Sequence, residues 1–195
     1  LGIVVLGLLL VGCDVIAKDV KPYLCNYKAG IFENPDLGKT GDPCMEGGAS
    51  KYKFYVNGTC ELYVDGAADL HSKSAGIGGV IFKDSQELIT FSKPLYDKTN
   101  NESEYLALLE GLNVSLELNI MNINIYADSE LVVRQVNGVY KVKNDRMKVL
   151  HSDVINLLDK FNEWSLNHIS RDNNQIADKL SKDGMKLART NLLGK

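Results

Sequence analysis

Four acidic side chains lie where the sequence pattern predicts the boundaries of strands and helices, and together they could bind cations. Asp65 and Asp128 each follow a stretch of apolar and β-branched residues with strand alternation. Glu104 and Asp178 fall in the first turns of two segments with helical spacing of apolar residues. Carboxylates that converge repel one another, which raises their pKa values or requires cations. Because oxygen ligands with this much negative charge suit Mg²⁺ or Mn²⁺, the set predicts a metal site.

Each of these acids also has an interpretation that needs no metal. The pair Asp65-Gly66 is a strong signal for a hairpin turn, and Asn101 to Glu104 has the spacing of a capping box. Asp128-Ser129 fits a helix cap, and Asp178 is favoured near a helix N-terminus by the helix macrodipole. Four separate structural roles in this order are less expected than one shared site, so we favour the metal site.

The elements that must position these acids follow from apolar periodicity. The pattern predicts strands at 60–65, 76–83, 87–92, 122–127 and 164–169, and helices at 102–118, 129–136, 145–161 and 173–187. In the last helix, Ile176, Ala177 and Leu180 are predicted to face inward. Three strands with short connections indicate an antiparallel meander, and the later alternation indicates an α/β fold with a mixed sheet and helices on its faces. If the first and fourth strands are parallel neighbours, Asp65 and Asp128 lie side by side.

The composition is that of one globular domain with a short appendage. The chain has 195 residues, 45% of them hydrophobic, and a net charge of −3. This slightly negative net charge gives no indication of a nucleic-acid partner. Clustered basic residues, however, matter more for nucleic-acid binding than the net charge of the chain. The cysteines have no zinc or redox spacing, which indicates free thiols in a reducing, cytoplasmic compartment, with an N-terminal disulfide as the alternative. They are Cys13, Cys25, Cys44 and Cys60.

Residues 1–59 are predicted to be a segment separate from the domain at 60–190, and residues 191–195 a tail. Residues 1–13 are apolar throughout; the run is too short to span a bilayer and has the length of a signal-peptide core. A truncated leader and an upstream strand are the alternatives, and membrane contact is expected only if the run is a retained leader. Residues 14–59 hold three of the four prolines and many glycines, which is typical of a linker or appendage.

Four motifs in order resemble type 1 ribonuclease H, in its short archaeal-like and bacterial form. They are YVDGAA at 63–68, TNNESEYLALLEGL at 99–112, YADSELVVRQVNGVYKVKN at 126–144 and HISRDNNQIADKL at 168–180. The resemblance covers about residues 60–190. It implies a five-stranded sheet whose first three strands are antiparallel and whose last two are parallel, with helices on both faces. The metal-binding acids of the family fall on Asp65, Glu104, Asp128 and Asp178.

The resemblance implies hydrolysis of the RNA strand of an RNA–DNA hybrid, leaving 3′-hydroxyl and 5′-phosphate ends. Two Mg²⁺ ions, with Mn²⁺ as an alternative, would activate a water and stabilise the leaving oxygen. In this scheme Asp65 bridges both ions, Glu104 and Asp128 serve the ion on the water-activating side, and Asp178 serves the other. The implied protein is a monomer without a stable protein partner.

The chain departs from the better-known bacterial form at two places. The loop at 170–174 lacks the histidine that assists product release in many members, and short-form relatives carry an arginine there. Arg171 is therefore a candidate for that role; its alternative is a surface arginine that pairs with Asp172. His168 is interpreted as a structural residue of the fifth strand. The long basic handle loop is also missing, so substrate affinity must come from elsewhere.

Basic residues between positions 134 and 148, with Tyr140 among them, are the best candidates for contacts with phosphates. A solvated helix face is the alternative. Further candidates flank the acids, where in the family such positions reach sugar and base edges in the minor groove, and Gly66 permits a close backbone approach. The complete predicted substrate-binding set is Gly66, Asn100, Asn101, Ser129, Glu130, Arg134, Lys141 and Lys143.

Other functions fit parts of this sequence. A catalytically silent nucleic-acid-binding module on the same fold is disfavoured because all four acids are present. A retroelement-derived module stays open, although residues 1–59 carry no readable reverse-transcriptase signature. Proofreading exonucleases of the superfamily carry Asp-x-Glu on the first strand, whereas here Asp65 is followed by Gly66 and Ala67.

Overall fold

The structure, a computed structural model, describes residues 56–194. The predictions for the segment before residue 56, including those for Cys13, Cys25 and Cys44, lie outside the described residues. A short 3-10 helix, Arg171–Asn173, precedes the last helix. The other described elements are β1 Val56–Asp69, β2 Ser74–Lys83, β3 Gln86–Tyr96, α1 Asn100–Glu117, β4 Ile120–Ala127, α2 Glu130–Val136, α3 Asp145–Leu158, β5 Glu163–His168 and α4 Gln175–Leu193.

One mixed sheet holds the five strands in the order β3-β2-β1-β4-β5. β2 is antiparallel to both β1 and β3, whereas β4 is parallel to both β1 and β5. The predicted α/β fold is therefore confirmed, including the antiparallel meander and the parallel last pair. Because β1 and β4 are parallel neighbours, their C-terminal ends lie at the same edge of the sheet.

Alternating side chains give β1 two faces, and each face meets a different helix. Leu62 and Val64 are buried on one face, where the missing side chain of Gly111 lets α1 approach both of them closely. Burying one such aliphatic side chain contributes about 1.5–3 kcal/mol, so this face supplies much of the core. Tyr63 and Asp65 point to the opposite face of the sheet. On that face α4 packs against β1, β2 and β3.

Glycines determine how closely α4 approaches the sheet. A Cβ atom added at Gly78 would lie 2.3 Å from the backbone nitrogen of Ser181, and Gly76 makes a similar approach one turn further along the helix. On the helix itself, a Cβ atom at Gly184 would lie 2.5 Å from the carbonyl oxygen of Lys93. A larger residue at any of these positions would overlap with backbone, so α4 is seated at a fixed depth over β2 and β3.

The predicted end of β1 is wrong, and the alternative of a hairpin turn at its end is excluded. The strand continues from Asp65 to Asp69, so Asp65 does not end it. The reason is that β2 goes on pairing with β1, as in the pair Ala67 and Gly76, after the pairing with β4 has stopped. The Asp65-Gly66 pair is consequently not a hairpin turn, and the turn between β1 and β2 lies at 70–73.

The structure tests the predicted N-cap of α1 and the predicted inner face and end of α4. α1 begins with a capping box formed by Thr99 and Glu102, so Glu104 has no capping role. In α4, Ala177 is fully buried as predicted, but Ile176 is 47% exposed and does not face the core. The same helix continues to Leu193, beyond its predicted end at 187 and into the predicted tail.

Two further observations concern the described cysteine and the length and polarity of the helices. Cys60 is a buried free thiol, and burial raises its pKa to about 11, which disfavours a reactive thiolate. Among residues 56–194, the structure contains no helix that is both long and apolar enough to cross a membrane.

Candidate active site

Three carboxylates meet where the parallel pairing of β1 with β4 stops. Asp65 comes from β1, Glu104 from the second turn of α1, and Asp128 directly follows β4. One ligand oxygen from each acid lies within 4.8 Å of those of the other two. The structure thus brings together three of the four predicted metal-binding acids, at a spacing that suits a shared cation.

The register of β1 and β4 explains why Asp65 and Asp128 are neighbours. Val64 and Ala127 form the last parallel pair, and an acid follows each of them. β4 ends there while β1 continues beside β2, so a notch opens at the edge of β1. The parallel pairing of β1 with β4 therefore brings the two acids together, although Asp65 lies inside its strand and Asp128 follows the end of β4.

Gly66 brings Glu104 into the same notch. A Cβ atom at position 66 would lie 2.2 Å from the backbone carbon of Ser103 and 2.3 Å from the nitrogen of Glu104. The Gly66 N–H donates a hydrogen bond to Glu104 Oε2 at 3.2 Å. The sequence predicts that Gly66 permits a close backbone approach, and the backbone that it admits in the structure is that of α1.

Burial and mutual repulsion make three free negative charges unfavourable here. Burial, followed by the charges of Asp65 and Asp128, raises the pKa of Glu104 to about 9. Burial also raises the pKa of Asp65 to about 6, although a hydrogen bond from Ser181 opposes this effect. Protons or a divalent cation must therefore neutralise part of the cluster near pH 7. Since all three donors are hard carboxylate oxygens, the residues fit Mg²⁺ or Mn²⁺.

The fourth predicted ligand, Asp178, has two ion pairs of its own. Its Oδ1 accepts hydrogen bonds from Arg171 Nε at 2.9 Å and Nη2 at 2.5 Å, and its Oδ2 accepts one from Lys182 Nζ at 2.6 Å. Burial opposes ionisation, but the hydrogen bonds from Lys182 and Arg171 prevail and lower the pKa of Asp178. Asp178 lies outside the group of three acids. Arg171 pairs with Asp178 rather than with Asp172, its predicted alternative partner.

A cavity of about 480 Å³ opens over the acid cluster. His168, interpreted from the sequence as structural, is exposed at the end of β5 and lines this cavity. Asn101 lies instead in a neighbouring depression beside Arg146. The predicted site residues that line the cavity are Asp65, Gly66, Asn100, Glu104, Asp128, Ser129 and Arg171.

The remaining predicted substrate residues lie on and after α2, outside this cavity. Arg134 pairs with Glu130 at 2.7 Å, and its guanidinium carbon lies 5.3 Å from the centre of the Tyr140 ring. Such a cation–π contact holds the segment after α2 close to the helix. Lys141 and Lys143 are exposed on this segment.

Two buried residues near α4 support the site and are not among its predicted members. Ser181 Oγ donates a hydrogen bond to Asp65 Oδ2. Asn174 donates from Nδ2 to the carbonyl oxygen of Val64 at 2.9 Å, directly before Asp65. Ser181 follows Asp178 by one helical turn, a spacing that could have indicated it. Asn174 has no such signal, because its partner is distant in the sequence.

The mixed five-stranded sheet, with carboxylates where its two central strands stop pairing, defines the class of ribonuclease H folds. The sequence model of the family described as "Reverse transcriptase-like" matches residues 63–184. Ribonuclease HI of Halobacterium salinarum is 26% identical over 129 residues, which are 66% of this chain and 65% of that protein. A bifunctional protein of Mycobacterium tuberculosis is 31% identical, but the match spans only 35% of its length.

Solved structures show the same likeness. The N-terminal ribonuclease H domain of a Mycobacterium tuberculosis protein, solved as a fusion with maltose binding protein, has a TM-score of 0.66 at 28% identity, covering 68% of this chain and 97% of that chain. LC11-RNase H1, isolated from compost and solved in complex with an RNA/DNA hybrid, has a TM-score of 0.61 at 32% identity, covering 66% and 98%. The chain belongs to the ribonuclease H family and resembles its type 1 members.

Proposed function

We propose that this chain hydrolyses the RNA strand of RNA–DNA hybrids with the help of bound divalent cations. The observation that carries the proposal is the group of Asp65, Glu104 and Asp128, whose ligand oxygens lie within 4.8 Å of one another in a ribonuclease H fold. The substrate class is supported by LC11-RNase H1, which is 32% identical and was solved with an RNA/DNA hybrid.

The residues of the chain would hold the metal and keep its surroundings fixed. Asp65, Glu104 and Asp128 would bind Mg²⁺, with Mn²⁺ as the alternative, and Asp178 would serve a second ion. Bound Mg²⁺ would activate a water and stabilise the leaving 3′ oxygen, which gives 3′-hydroxyl and 5′-phosphate ends. The hydrogen bond from the Gly66 N–H to Glu104 keeps that carboxylate turned toward the notch.

Arg171 and Lys182 place positive charge beside the acids, where a scissile phosphate would bring negative charge. Both side chains pair with Asp178 in the structure. A phosphate can compete for them, because charge-assisted hydrogen bonds to phosphate oxygens are strong and arginine forms them in pairs. Asp178 would then be released to bind a cation when the substrate arrives.

Selection of RNA requires contacts with the 2′-hydroxyl. Short polar side chains and backbone amides make such contacts, and Asn100 and Ser129 line the cavity over the acids. Arg134, Lys141 and Lys143 are exposed further along the surface and would follow the phosphates of the duplex. The monomeric state and the cytoplasmic location remain predictions from the sequence.

The proposal is tested by incubating the protein with a labelled RNA–DNA hybrid and with double-stranded RNA and double-stranded DNA of the same sequence. We expect that only the RNA strand of the hybrid is cut. This cleavage should occur when Mg²⁺ is present and should be lost when a chelator is added. Tight binding of the hybrid without cleavage would contradict the proposal and support a catalytically silent binding module. Equal cleavage of all three duplexes would indicate a nuclease of another specificity.

A further inference from the structure

Ser181 is a buried serine that connects two of the acid-bearing elements. It lies in α4, one turn after Asp178, and is 0% exposed. Its Oγ contacts Asp65 Oδ2 on β1 and also lies 2.9 Å from the carbonyl oxygen of Asp178. The nearest equivalent elsewhere in the described chain is Ser115, which is also buried in a helix and bonds only to the helix carbonyl of Gly111 at 2.8 Å.

The backbone around Ser181 leaves the hydroxyl little freedom to move away. Position 78 lies directly under the backbone nitrogen of Ser181, and only a glycine fits there. Gly78 is also the cross-strand partner of Asp65 in the pairing of β1 with β2. The close packing of α4 on the sheet at Gly78 therefore determines the contact between Ser181 and Asp65.

A hydroxyl has one proton, so Ser181 can donate to only one of its two acceptors at a time. An ionised carboxylate is the stronger acceptor, because hydrogen bonds to charged groups are shorter and about twice as strong as neutral ones. When Asp65 is ionised, the proton goes to its Oδ2. The carboxylate is then fixed in its orientation, and its other oxygen is available to the notch where Glu104 and Asp128 lie.

We propose that Ser181 is a positioning residue for the metal site, orienting the Asp65 carboxylate toward a divalent cation from the helix that carries Asp178. This inference rests on the proposed function for the identity of the cation and goes beyond it in assigning the residue. Partners that hydrogen-bond to metal ligands typically account for a ten- to hundredfold difference in metal affinity.

The direct test measures Mn²⁺ binding without nucleic acid, from the paramagnetic resonance signal of free Mn²⁺, in Ser181→Ala and in the matched control Ser115→Ala. Each variant removes one buried helical hydroxyl. We expect Ser181→Ala to weaken Mn²⁺ binding by roughly ten- to a hundredfold and Ser115→Ala to bind like the wild type. Equal affinities in the wild type and Ser181→Ala, or an equal loss in both variants, would overturn the proposal.

Kinetics and a conservative variant separate positioning from mere packing. In Ser181→Ala, the Mg²⁺ concentration for half-maximal cleavage should rise, while the KM for the hybrid at saturating Mg²⁺ stays unchanged. Ser181→Thr, which keeps the hydroxyl, should recover Mn²⁺ affinity. A rise in the KM for the hybrid with native metal dependence would contradict a positioning role.

The same data distinguish the two proposals. If the wild type cuts no hybrid but Ser181→Ala still binds Mn²⁺ more weakly, the proposed function fails and the role of Ser181 stands. If the wild type cuts the hybrid and Ser181→Ala has native Mn²⁺ affinity, only the role of Ser181 fails. A wild type that binds no Mn²⁺ would overturn both.

Discussion

Glu104 experiences a very different environment in the folded and unfolded chain. It is buried beside two other carboxylates, and its pKa rises from the ordinary 4.5 to about 9. Between these values the folded protein holds a proton that the unfolded chain releases. Because the folded state then binds more protons, the free energy of unfolding falls as the pH rises through this range.

We therefore predict that, with chelator present, the wild type loses stability between pH 6 and pH 8. Asp65, with a pKa of about 6, contributes mainly below this window, so the loss is due chiefly to Glu104. Glu104→Gln should flatten the dependence and be more stable than the wild type at pH 8. Urea unfolding at several pH values measures this, and parallel curves for the two proteins would contradict the assignment.

Arg171 lines the cavity over the acid cluster and has the planar group of donors that binds phosphate in pairs. We predict that Arg171→Ala lowers turnover on a hybrid by about ten- to a hundredfold, the scale of one charge-assisted contact of ~1.5–3 kcal/mol. Arg171→Lys should recover only part of the rate, because a point charge lacks the planar fork of donors. Steady-state kinetics at saturating Mg²⁺ provides the measurement.

A matched control for Arg171 exists in the helix that follows it. Arg189 is an exposed arginine of α4 that pairs with Asp69 at 2.8 Å and does not line the cavity. Arg189→Ala should therefore keep native turnover. Native turnover in Arg171→Ala as well would make Arg171 a surface residue whose ion pair with Asp178 has no part in the reaction.

At the scale of whole elements, glycines place the two acid-bearing helices against the sheet. Gly66 admits the start of α1 on one face, and Gly78 admits α4 on the other. Each helix brings its polar group, Glu104 or Ser181, to Asp65 only because no side chain intervenes. The geometry of the acid cluster is therefore a consequence of backbone contacts between elements.

We predict that Gly78→Ala destabilises the protein by about 1–3 kcal/mol, the usual cost of overpacking, and also lowers activity. Its Cβ atom would lie 2.3 Å from the nitrogen of Ser181, so α4 must shift. Gly194→Ala is the control, since its Cβ atom would be 3.5 Å from its nearest neighbour at the end of α4. Thermal unfolding of both variants decides the matter, and equal melting temperatures would show that α4 adapts without cost.

Local sequence predicts the elements well and their contacts only in part. Alternation and helical spacing report the burial of a single segment, which is why the strands and helices are found with ends that shift by a few residues. The N-cap of α1 is Thr99 rather than Asn101, because Thr99 and Glu102 satisfy each other reciprocally. The contacts of Asn174 with Val64 and of Ser181 with Asp65 join distant segments. No local pattern indicates Asn174, whereas the one-turn spacing from Asp178 could have indicated Ser181 but not its partner on β1.

At the scale of the whole molecule, the five-stranded sheet and the acid cluster both lie within residues 56–194. We predict that a protein starting at Lys51, shortly before β1, folds and retains full cleavage of a hybrid. Circular dichroism and cleavage rates, each compared with the full chain, measure this. If the truncated protein is insoluble or inactive while the full chain is active, the segment before residue 51 belongs to the core or to the substrate groove.

The most direct test of the acid cluster as the catalytic centre is the rate of hybrid cleavage in Mg²⁺ for Asp65→Asn and Asp128→Asn. Both substitutions keep the size of the side chain and remove one charge from a group of repelling acids, so the fold should be as stable as before or more stable without metal. Asp145→Asn, at an exposed acid of α3 paired with Lys148, is the control and should cut at the native rate. We predict that cleavage is abolished in the first two variants while their circular dichroism spectra stay native. A near-native rate in either of them would contradict the account.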